Sequence, residues 1–473
     1  MPRRTKIVAT LGPASESRDV LAAMIAAGLD VARLNLSHGE PEVHLKRLAA
    51  VRAAASEAGR VVGVLADLPG PKVRSGPFPA TGTFLREGTH VKLLVGTGAC
   101  DDTHIAVEYA TLLSDLRVGD RVILGDGAIT LVVSEVDEHE AEAVVITGGR
   151  VQGRPGVHLP AERLRLTAPT DRDLELLAVM AAHVDFVGVS FVRTASDLRR
   201  VRSAVASGGP MIIAKIETTA AVFHLAEILD AADGVMVARG DLGIESPLED
   251  VPHLQKMIIR AAVEAARPVI TATQMLESMV NSPTPTRAEV SDVANAVFDG
   301  TDAVMLSAET AIGHDPALVV STMARIAERA ESEADYARWA TGLGRRQRQP
   351  GGIGITEAIA HAAWHAASDA GAAAVLCCSR SGHTARAMVR FRPEGLLIGL
   401  SPNERTVGQL TLSWGVRPLK VETYRSTDEL VWCAVEAAVH AGLVHHGDIV
   451  AVLAGAPDRA QAATDVLRLV RVD

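Results

Sequence analysis

The stretch from Met211 to Glu245, MIIAKIETTAAVFHLAEILDAADGVMVARGDLGIE, decides the fold. It opens on an apolar run, Met211 to Ala214, too short for a free-standing helix and typical of a strand buried on both faces. Lys215 and Glu217 follow at the C-terminal end of that run, two residues apart and therefore on one side of the strand. Thr218 or Thr219 supplies a helix cap, and Val222, Leu225, Ile228 and Leu229 keep an apolar face at helical spacing. A second apolar run, Gly234 to Ala238, again ends in charge at Arg239-Gly240-Asp241. This is a β-α-β unit with an ammonium, two carboxylates and a guanidinium at the same ends of neighbouring parallel strands. Taken singly, Lys215 and Glu217 read equally well as a structural ion pair closing a barrel end, and Asp241 as a loop cap. The whole set, at the strand ends where α/β barrels carry their chemistry, favours a site.

Working outward, apolar runs at 6–11, 30–36, 61–67, 184–190, 211–217, 234–240, 268–274 and 302–307 alternate with amphipathic stretches. Eight strands, each eventually followed by a helix, predict a closed (β/α)8 TIM barrel. One connection is anomalous: after Asp67 about a hundred residues pass before the next helix, far beyond an ordinary βα loop. Residues 75–167 are rich in Gly and short β-type runs (90–95, 121–124, 129–136, 143–147), which predicts an inserted small β-barrel lid domain. Carried on the site end of the barrel, it suits closure over substrate and exclusion of water. A polar, basic Gly/Pro stretch at 342–352 reads as a linker. Beyond it strands and helices alternate again, predicting a C-terminal doubly wound α/β domain. The expected division is a barrel of residues 1–74 and 168–341, a lid of 75–167, a linker of 342–352 and a third domain of 353–473.

The composition of the 473 residues narrows the function class. Only 3% are aromatic against 48% hydrophobic, so the cores are aliphatic. A net charge of −10 argues against a general nucleic-acid binder, though anionic small molecules need only local positive charge. Cys100, Cys377, Cys378 and Cys433 lack metal-ligand spacing, and the adjacent Cys377 and Cys378 in an apolar run read as buried thiols of a reducing compartment. The N-terminal run is too brief for a secretory signal, and no apolar segment is long enough to span a membrane, so a cytoplasmic location is expected.

The chemistry is concentrated at the strand ends. They supply Arg33, Asn35, Ser37 and His38; Asp67, Lys72 and Arg74; Lys215, Glu217, Arg239 and Asp241; then Thr273, Gln274, Ser307 and Glu309. Two carboxylates on adjacent strands suit an octahedral Mg²⁺ or Mn²⁺ that also takes substrate oxygens. Arginines and a lysine suit a phosphate or carboxylate on which charge develops. Neither a Walker A loop nor the protein-kinase motif set is present. Gly125-Asp126-Gly127 reads as a tight hairpin turn.

Six stretches, TKIVATLGPAS, VARLNLSHG, IAKIE, VARGDLGIE, TATQMLESM and MLSAETAIG, closely resemble the pyruvate kinase family, in the family's order and over essentially the whole chain. That resemblance implies phosphoryl transfer from phosphoenolpyruvate to ADP, giving pyruvate and ATP. It implies Glu217 and Asp241 as ligands of Mg²⁺ or Mn²⁺, Lys215 as the cation facing the transferring phosphoryl group, and Arg33 as a phosphate holder. Gly240 and Asp241, with Thr273, resemble the cradle for the substrate carboxylate. Thr273 and Ser307 are candidates for the route that protonates the enolate. Pro13, Asn35, His38 and Arg74 resemble the nucleotide-facing side, although His38 also reads as a cap on the following helix. A homotetramer is implied as well.

The chain departs from the family at Asp67-Leu68-Pro69-Gly70-Pro71-Lys72-Val73-Arg74. Many relatives read DTKGPEIR there, and in potassium-dependent members the Asp and Thr, with residues matched here by Asn35 and Ser37, hold K⁺. Here the Thr is Leu68 and the Glu is Lys72. An ammonium supplies the charge K⁺ would bring, and both together would repel by about 4 kcal/mol at 4 Å with an effective dielectric near 20. K⁺ is therefore not expected to be required; the plainer reading is a solvated loop lysine with K⁺ still bound. In the third domain, Ser379-Arg380-Ser381-Gly382-His383-Thr384 resembles the loop that takes a phosphorylated allosteric effector, and reads equally as a helix start without ligand. Two rival functions remain, the first from the barrel alone and the second through the third domain. One is a Schiff-base aldolase or lyase using Lys215; the other is a non-catalytic metabolite-sensing relative.

Overall fold

The computed structural model describes residues 3–125, 127, 129–159, 165, 167–346, 354–423, 426–455 and 463–473. Asp126 and positions 347–352 of the linker stretch lie outside them. Eight strands, Lys6–Thr10, Val31–Asn35, Gly63–Asp67, Phe186–Val189, Met211–Ile216, Gly234–Ala238, Val269–Ala272 and Ala303–Leu306, close into a parallel barrel. The first pairs with the eighth in the register Lys6↔Ala303, which completes the ring.

Strand periodicity sorts the side chains into two cores. On the fifth strand Ile212, Ala214 and Ile216 face outward into the helix-packed cluster, while Met211 and Ile213 face the barrel interior. The interior layer also takes Val8, Val31, Leu65, Phe186, Met236, Ile270 and Met305. Continuing the inward parity by two residues from each gives Thr10, Arg33, Asp67, Gly188, Lys215, Ala238, Ala272 and Ser307, a layer of polar and small residues above an apolar one. Parity alone thus directs Lys215, Arg33 and Asp67 into one mouth.

The insert after the third strand contains a six-stranded sheet and a two-stranded ribbon, Phe78–Leu85 with Gly149–Gly153, around a common aliphatic core. It is rooted beside the mouth by the bridges Arg74↔Gly156 and Ser75↔Val107. The C-terminal unit is a five-stranded sheet with apolar clusters on both faces. Its strand Ala374–Cys378 is central, flanked by Leu396–Ser401 and Val416–Lys420 on one side. On the other side lie Ile449–Gly455 and the antiparallel edge strand Thr464–Arg471.

This unit seals the barrel floor. Its turn Leu410–Leu412 inserts Leu412 into the interior cluster. Beside it Arg392 pairs with Asp302 at 3.0 Å, and Lys6 donates to the Val416 carbonyl at 2.8 Å. The polar stretch read as a linker begins inside a helix, Tyr336–Arg346, because Leu343 of that stretch is buried against the barrel core. Cys377 and Cys378 are buried free thiols, and burial pushes Cys378 up to about 12. No described helix is long and apolar enough to cross a membrane.

Candidate active site

The fifth strand delivers Lys215, 8% exposed, to the centre of the mouth. Its Nζ lies 2.6 Å from Ser190 Oγ, 2.9 Å from Glu217 Oε1 and 3.4 Å from Asp67 Oδ1. Burial disfavours the ammonium, but Asp67 and Glu217 more than offset this and hold its pKa above the usual lysine value. Ser190 is oriented by donating to the Leu68 carbonyl at 2.7 Å, which turns its oxygen lone pairs toward Lys215.

Arg33 reaches the same cluster from the second strand. Its Nε donates to Asp67 Oδ2 at 2.8 Å, with Nη2 2.6 Å from the same oxygen, and its Nη1 donates to Thr10 Oγ1 at 2.9 Å. Burial would raise the Asp67 carboxyl, yet Lys215 and Arg33 together hold it below the ordinary carboxylate range. Asp67 Oδ1 is buried with no hydrogen-bond partner closer than the Lys215 ammonium. Gly188 makes room for it: a Cβ there would come within 2.9 Å of that oxygen.

Glu217 shows the opposite imbalance. One oxygen meets Lys215 and the other accepts from the Phe191 amide at 2.6 Å. Phe191 turns that amide inward from a left-handed backbone, φ +54°. Burial first, and the neighbouring Asp241 second, still raise the Glu217 pKa. The Glu217 and Asp241 carboxylates therefore share one region with too little positive charge between them. An all-oxygen pair of this kind fits a hard divalent cation completed by substrate oxygens. Among the described residues no group of three His, Cys, Asp or Glu side chains is placed to hold a metal by itself.

The sixth and seventh strands meet above Asp241, where the Gly240 amide donates to Thr273 Oγ1 at 2.9 Å. Thr273 and Gln274 both have left-handed backbone, φ +71° and +54°, unusual for any side chain and more so for a β-branched one. The backbone amide of Ser307, from the eighth strand, donates to Glu309 Oε2 at 2.6 Å; the other Glu309 oxygen accepts from the Leu276 amide, so Ser307 sits on an anchored turn.

Toward the lid, Arg74, Lys72 and Arg33 each lie within electrostatic reach of His38. Partial burial first, then those three cations, hold His38 below the usual imidazole value. His38 does not cap the next helix by its side chain; its carbonyl instead meets His44 Nε2 at 2.8 Å. Asn35 Oδ1 accepts from the Ser37 amide at 3.2 Å. Lys72 is exposed and extends along the lid's edge beside Gly156, and a cleft running from it is walled by His158, Phe191, Arg193 and Thr218. Pro13 is exposed on the short turn Pro13–Ser15 after the first strand.

Two groups behave differently from their sequence setting. Arg239 does not join Arg33 and Lys215; it folds back into the barrel wall and pairs with Asp292 at 2.7 Å. The loop Ser379–Thr384 lies at the opposite end of the barrel, where Arg386 packs near Met211 at the start of the fifth strand. There Gly382 is left-handed, Arg386 donates to the Ser381 carbonyl at 3.0 Å, and Arg380 contributes its carbonyl to Thr406. Thr384 is buried against Thr464, and His383 stands 3.6 Å from Glu357. Sequence reasoning passed over Thr10 and Ser190, the residues that orient Arg33 and Lys215. The signal was available, since both are hydroxyl residues at C-terminal strand ends.

Known proteins with this arrangement can now be set beside it. The family described as "Pyruvate kinase, barrel domain" matches residues 2–320, and "Pyruvate kinase, alpha/beta domain" matches residues 357–470. The pyruvate kinase of Geobacillus stearothermophilus is 42% identical over 99% of this chain and 80% of its own length. That of Methylorubrum extorquens is 40% identical over 99% and 98%, and that of Clostridium acetobutylicum 36% over the whole of both. Full-length likeness at this level, on a barrel whose mouth gathers Arg33, Lys215, Glu217 and Asp241, leaves one assignment: the chain belongs to the pyruvate kinase family.

Proposed function

We propose that the mouth of this barrel carries the pyruvate kinase reaction, the phosphoryl group of phosphoenolpyruvate passing to ADP to give pyruvate and ATP, through the residues described above. The observation that carries the assignment of roles is the convergence of Lys215, Arg33 and the Glu217–Asp241 pair on one buried space. Phosphoryl transfer asks mainly for positioning and for compensation of spread negative charge. Lys215, fixed by Ser190, Asp67 and Glu217, is the cation that faces the moving phosphoryl group and the enolate left behind. Arg33, locked by Asp67 and Thr10, holds the phosphate. Gly240, Asp241 and Thr273 form the carboxylate cradle, and Thr273 and Ser307 stand on the proton route to the enolate carbon.

The family reaction requires a divalent metal. Glu217 and Asp241 would hold Mg²⁺ or Mn²⁺, which when bound supplies Lewis-acid neutralisation of phosphoryl charge. Pro13, Asn35, His38 and Arg74 face the nucleotide, where the cations around His38 suit a polyphosphate. The lid closes over that cleft and excludes water. Loop 379–384 is assigned to a phosphorylated effector and the assembly to a homotetramer; both rest on family resemblance.

Potassium independence is part of the same reading. Leu68 is buried and offers no side-chain oxygen where the K⁺-associated Thr stands, and both Asp67 oxygens already face Arg33 and Lys215. The ammonium of Lys72 lies within electrostatic reach of His38, beside Asn35 and Ser37 in the chain. A Schiff-base role for Lys215 is disfavoured, because a nitrogen directed at two carboxylates and a hydroxyl is held as ammonium rather than as the free amine such chemistry needs.

A lactate-dehydrogenase-coupled assay with phosphoenolpyruvate and ADP tests the reading. Turnover should vanish on chelation of divalent metal and return with Mg²⁺ or Mn²⁺. Potassium chloride and tetramethylammonium chloride at equal ionic strength should give the same turnover. Strong dependence on K⁺ would refute the role given to Lys72, and pyruvate formation without divalent metal would refute the role given to Glu217 and Asp241.

A further inference from the structure

The seventh strand ends in backbone that side-chain-bearing residues avoid, Thr273 at φ +71° followed by Gln274 at φ +54°. Such a pair persists only where its surroundings over-determine it. The residue that does so is Arg239, whose Nη2 donates to the Thr273 carbonyl at 2.6 Å and whose Nε donates to the Ala272 carbonyl at 3.3 Å. Its remaining Nη1 donates to Asp292 Oδ1 at 2.7 Å and approaches Gln255 Oε1 at 3.4 Å. The guanidinium is therefore fixed from helices Val251–Glu264 and Arg287–Phe298 while it grips the strained turn. The adjoining residue closes a ring, since the Gly240 amide donates back to Thr273 Oγ1 at 2.9 Å.

We infer that Arg239 is the positioning residue of the carboxylate cradle. It touches no reacting group, but it holds the Thr273 hydroxyl and the Gly240 amide in register by clamping the backbone between Ala272 and Thr273. This rests on the reading above that Thr273 and Gly240 bind the carboxylate of phosphoenolpyruvate. A planar fork is needed for the task, because one group must serve two carbonyls and a carboxylate at once; a lysine offers a single point.

The test is Arg239→Lys, with kcat and KM measured separately for phosphoenolpyruvate and ADP. KM for phosphoenolpyruvate should rise about tenfold while KM for ADP stays within about twofold, the pattern of a lost binding geometry on one substrate. Adding Gln274→Gly should recover about threefold of that loss, since glycine adopts the left-handed backbone without a clamp. Should Arg239→Lys fail to fold, Asp292→Asn, at a half-exposed position away from the mouth, should give the same signature at smaller size. An unchanged KM for phosphoenolpyruvate in a folded variant overturns the inference. So does a parallel rise of both KM values with a lowered Tm and no recovery by Gln274→Gly. Thr273→Val separates the two layers of the argument: if it leaves KM for phosphoenolpyruvate unaltered the cradle itself is misassigned. If it raises that KM and Arg239→Lys does not, only the positioning role fails.

Discussion

The two ends of the barrel both bury charge, and they do it differently. At the floor, Asp302 accepts from Arg392 at 3.0 Å, from the Val269 amide at 2.9 Å and from the Trp414 amide at 3.4 Å. Asp185 accepts from Arg52 at 2.7 Å and the Val64 amide at 2.8 Å, and Asp30 from the Ile7 amide at 2.9 Å beside Arg3 at 2.8 Å. Each floor carboxylate accepts from a backbone N–H and meets its own arginine. At the mouth the two Asp67 oxygens meet two side-chain cations, Arg33 and Lys215, and Glu217 has a second carboxylate, Asp241, beside it. Carboxylates matched one to one with arginines fix structure. At the mouth Asp67, Glu217 and Asp241 share Lys215 and Arg33, and that surplus of negative charge is what a bound cation can complete; the contrast separates architecture from chemistry without reference to any relative.

The sharpest way to break that contrast is to remove one cation at each end. Lys215→Met should lower kcat by about 10³ or more, as expected when a preorganised charge facing the transferring group is lost, while circular dichroism remains that of the parent. Arg392→Met at the floor should do the reverse. Leaving Asp302 buried and unpaired should cost about 3–5 kcal/mol in urea unfolding, with kcat per folded molecule unchanged. If Arg392→Met lowered kcat and left stability alone, the division between the two ends would collapse.

A smaller effect sharpens the floor. Burial first lowers the Lys6 ammonium, which Asp30 only partly restores, to about 8 from 10.5. A folded-state pKa below the unfolded one means that the unfolded chain binds the extra proton between those values, so stability should rise with pH from about 8 to about 10.5. The full span is roughly 3 kcal/mol, and the cost is present in full below pH 8. Lys6→Met should therefore flatten the rise in a pH series of denaturant midpoints. A parent whose stability is level from pH 8 to 10 would show that Lys6 carries no such cost.

The eight strands and the mouth residues on them were legible because period two leaves no freedom. Once Met211 and Ile213 face inward, so must Lys215, and the same holds from Val31 to Arg33 and from Leu65 to Asp67. Arg239 was not legible in this way. It is the first residue of a short helix, Arg239–Glu245, beyond the reach of strand parity, and its partners Asp292 and Gln255 come from helices remote in sequence. The lid was legible as a β domain but not in all its strands. Phe78–Leu85 carries Pro79 and Gly82, and Gly149–Gly153 is bounded by glycines, so neither shows an apolar alternation. The single helix expected from Val222, Leu225, Ile228 and Leu229 is divided at His224 into Thr219–Phe223 and Leu225–Ala231, a break that apolar spacing does not register.

Leu412 belongs by sequence to the third domain and by packing to the interior of the first. A barrel cut from the chain at residue 341 would lose that plug together with Arg392, Val416 and Trp414, and would open an oily socket beneath the residues of the mouth with Asp302 facing it without its arginine. The smallest unit able to stand by itself is therefore the barrel with its stopper. Swapping C-terminal domains between relatives is then a problem of fitting a cork before it is one of transplanting control.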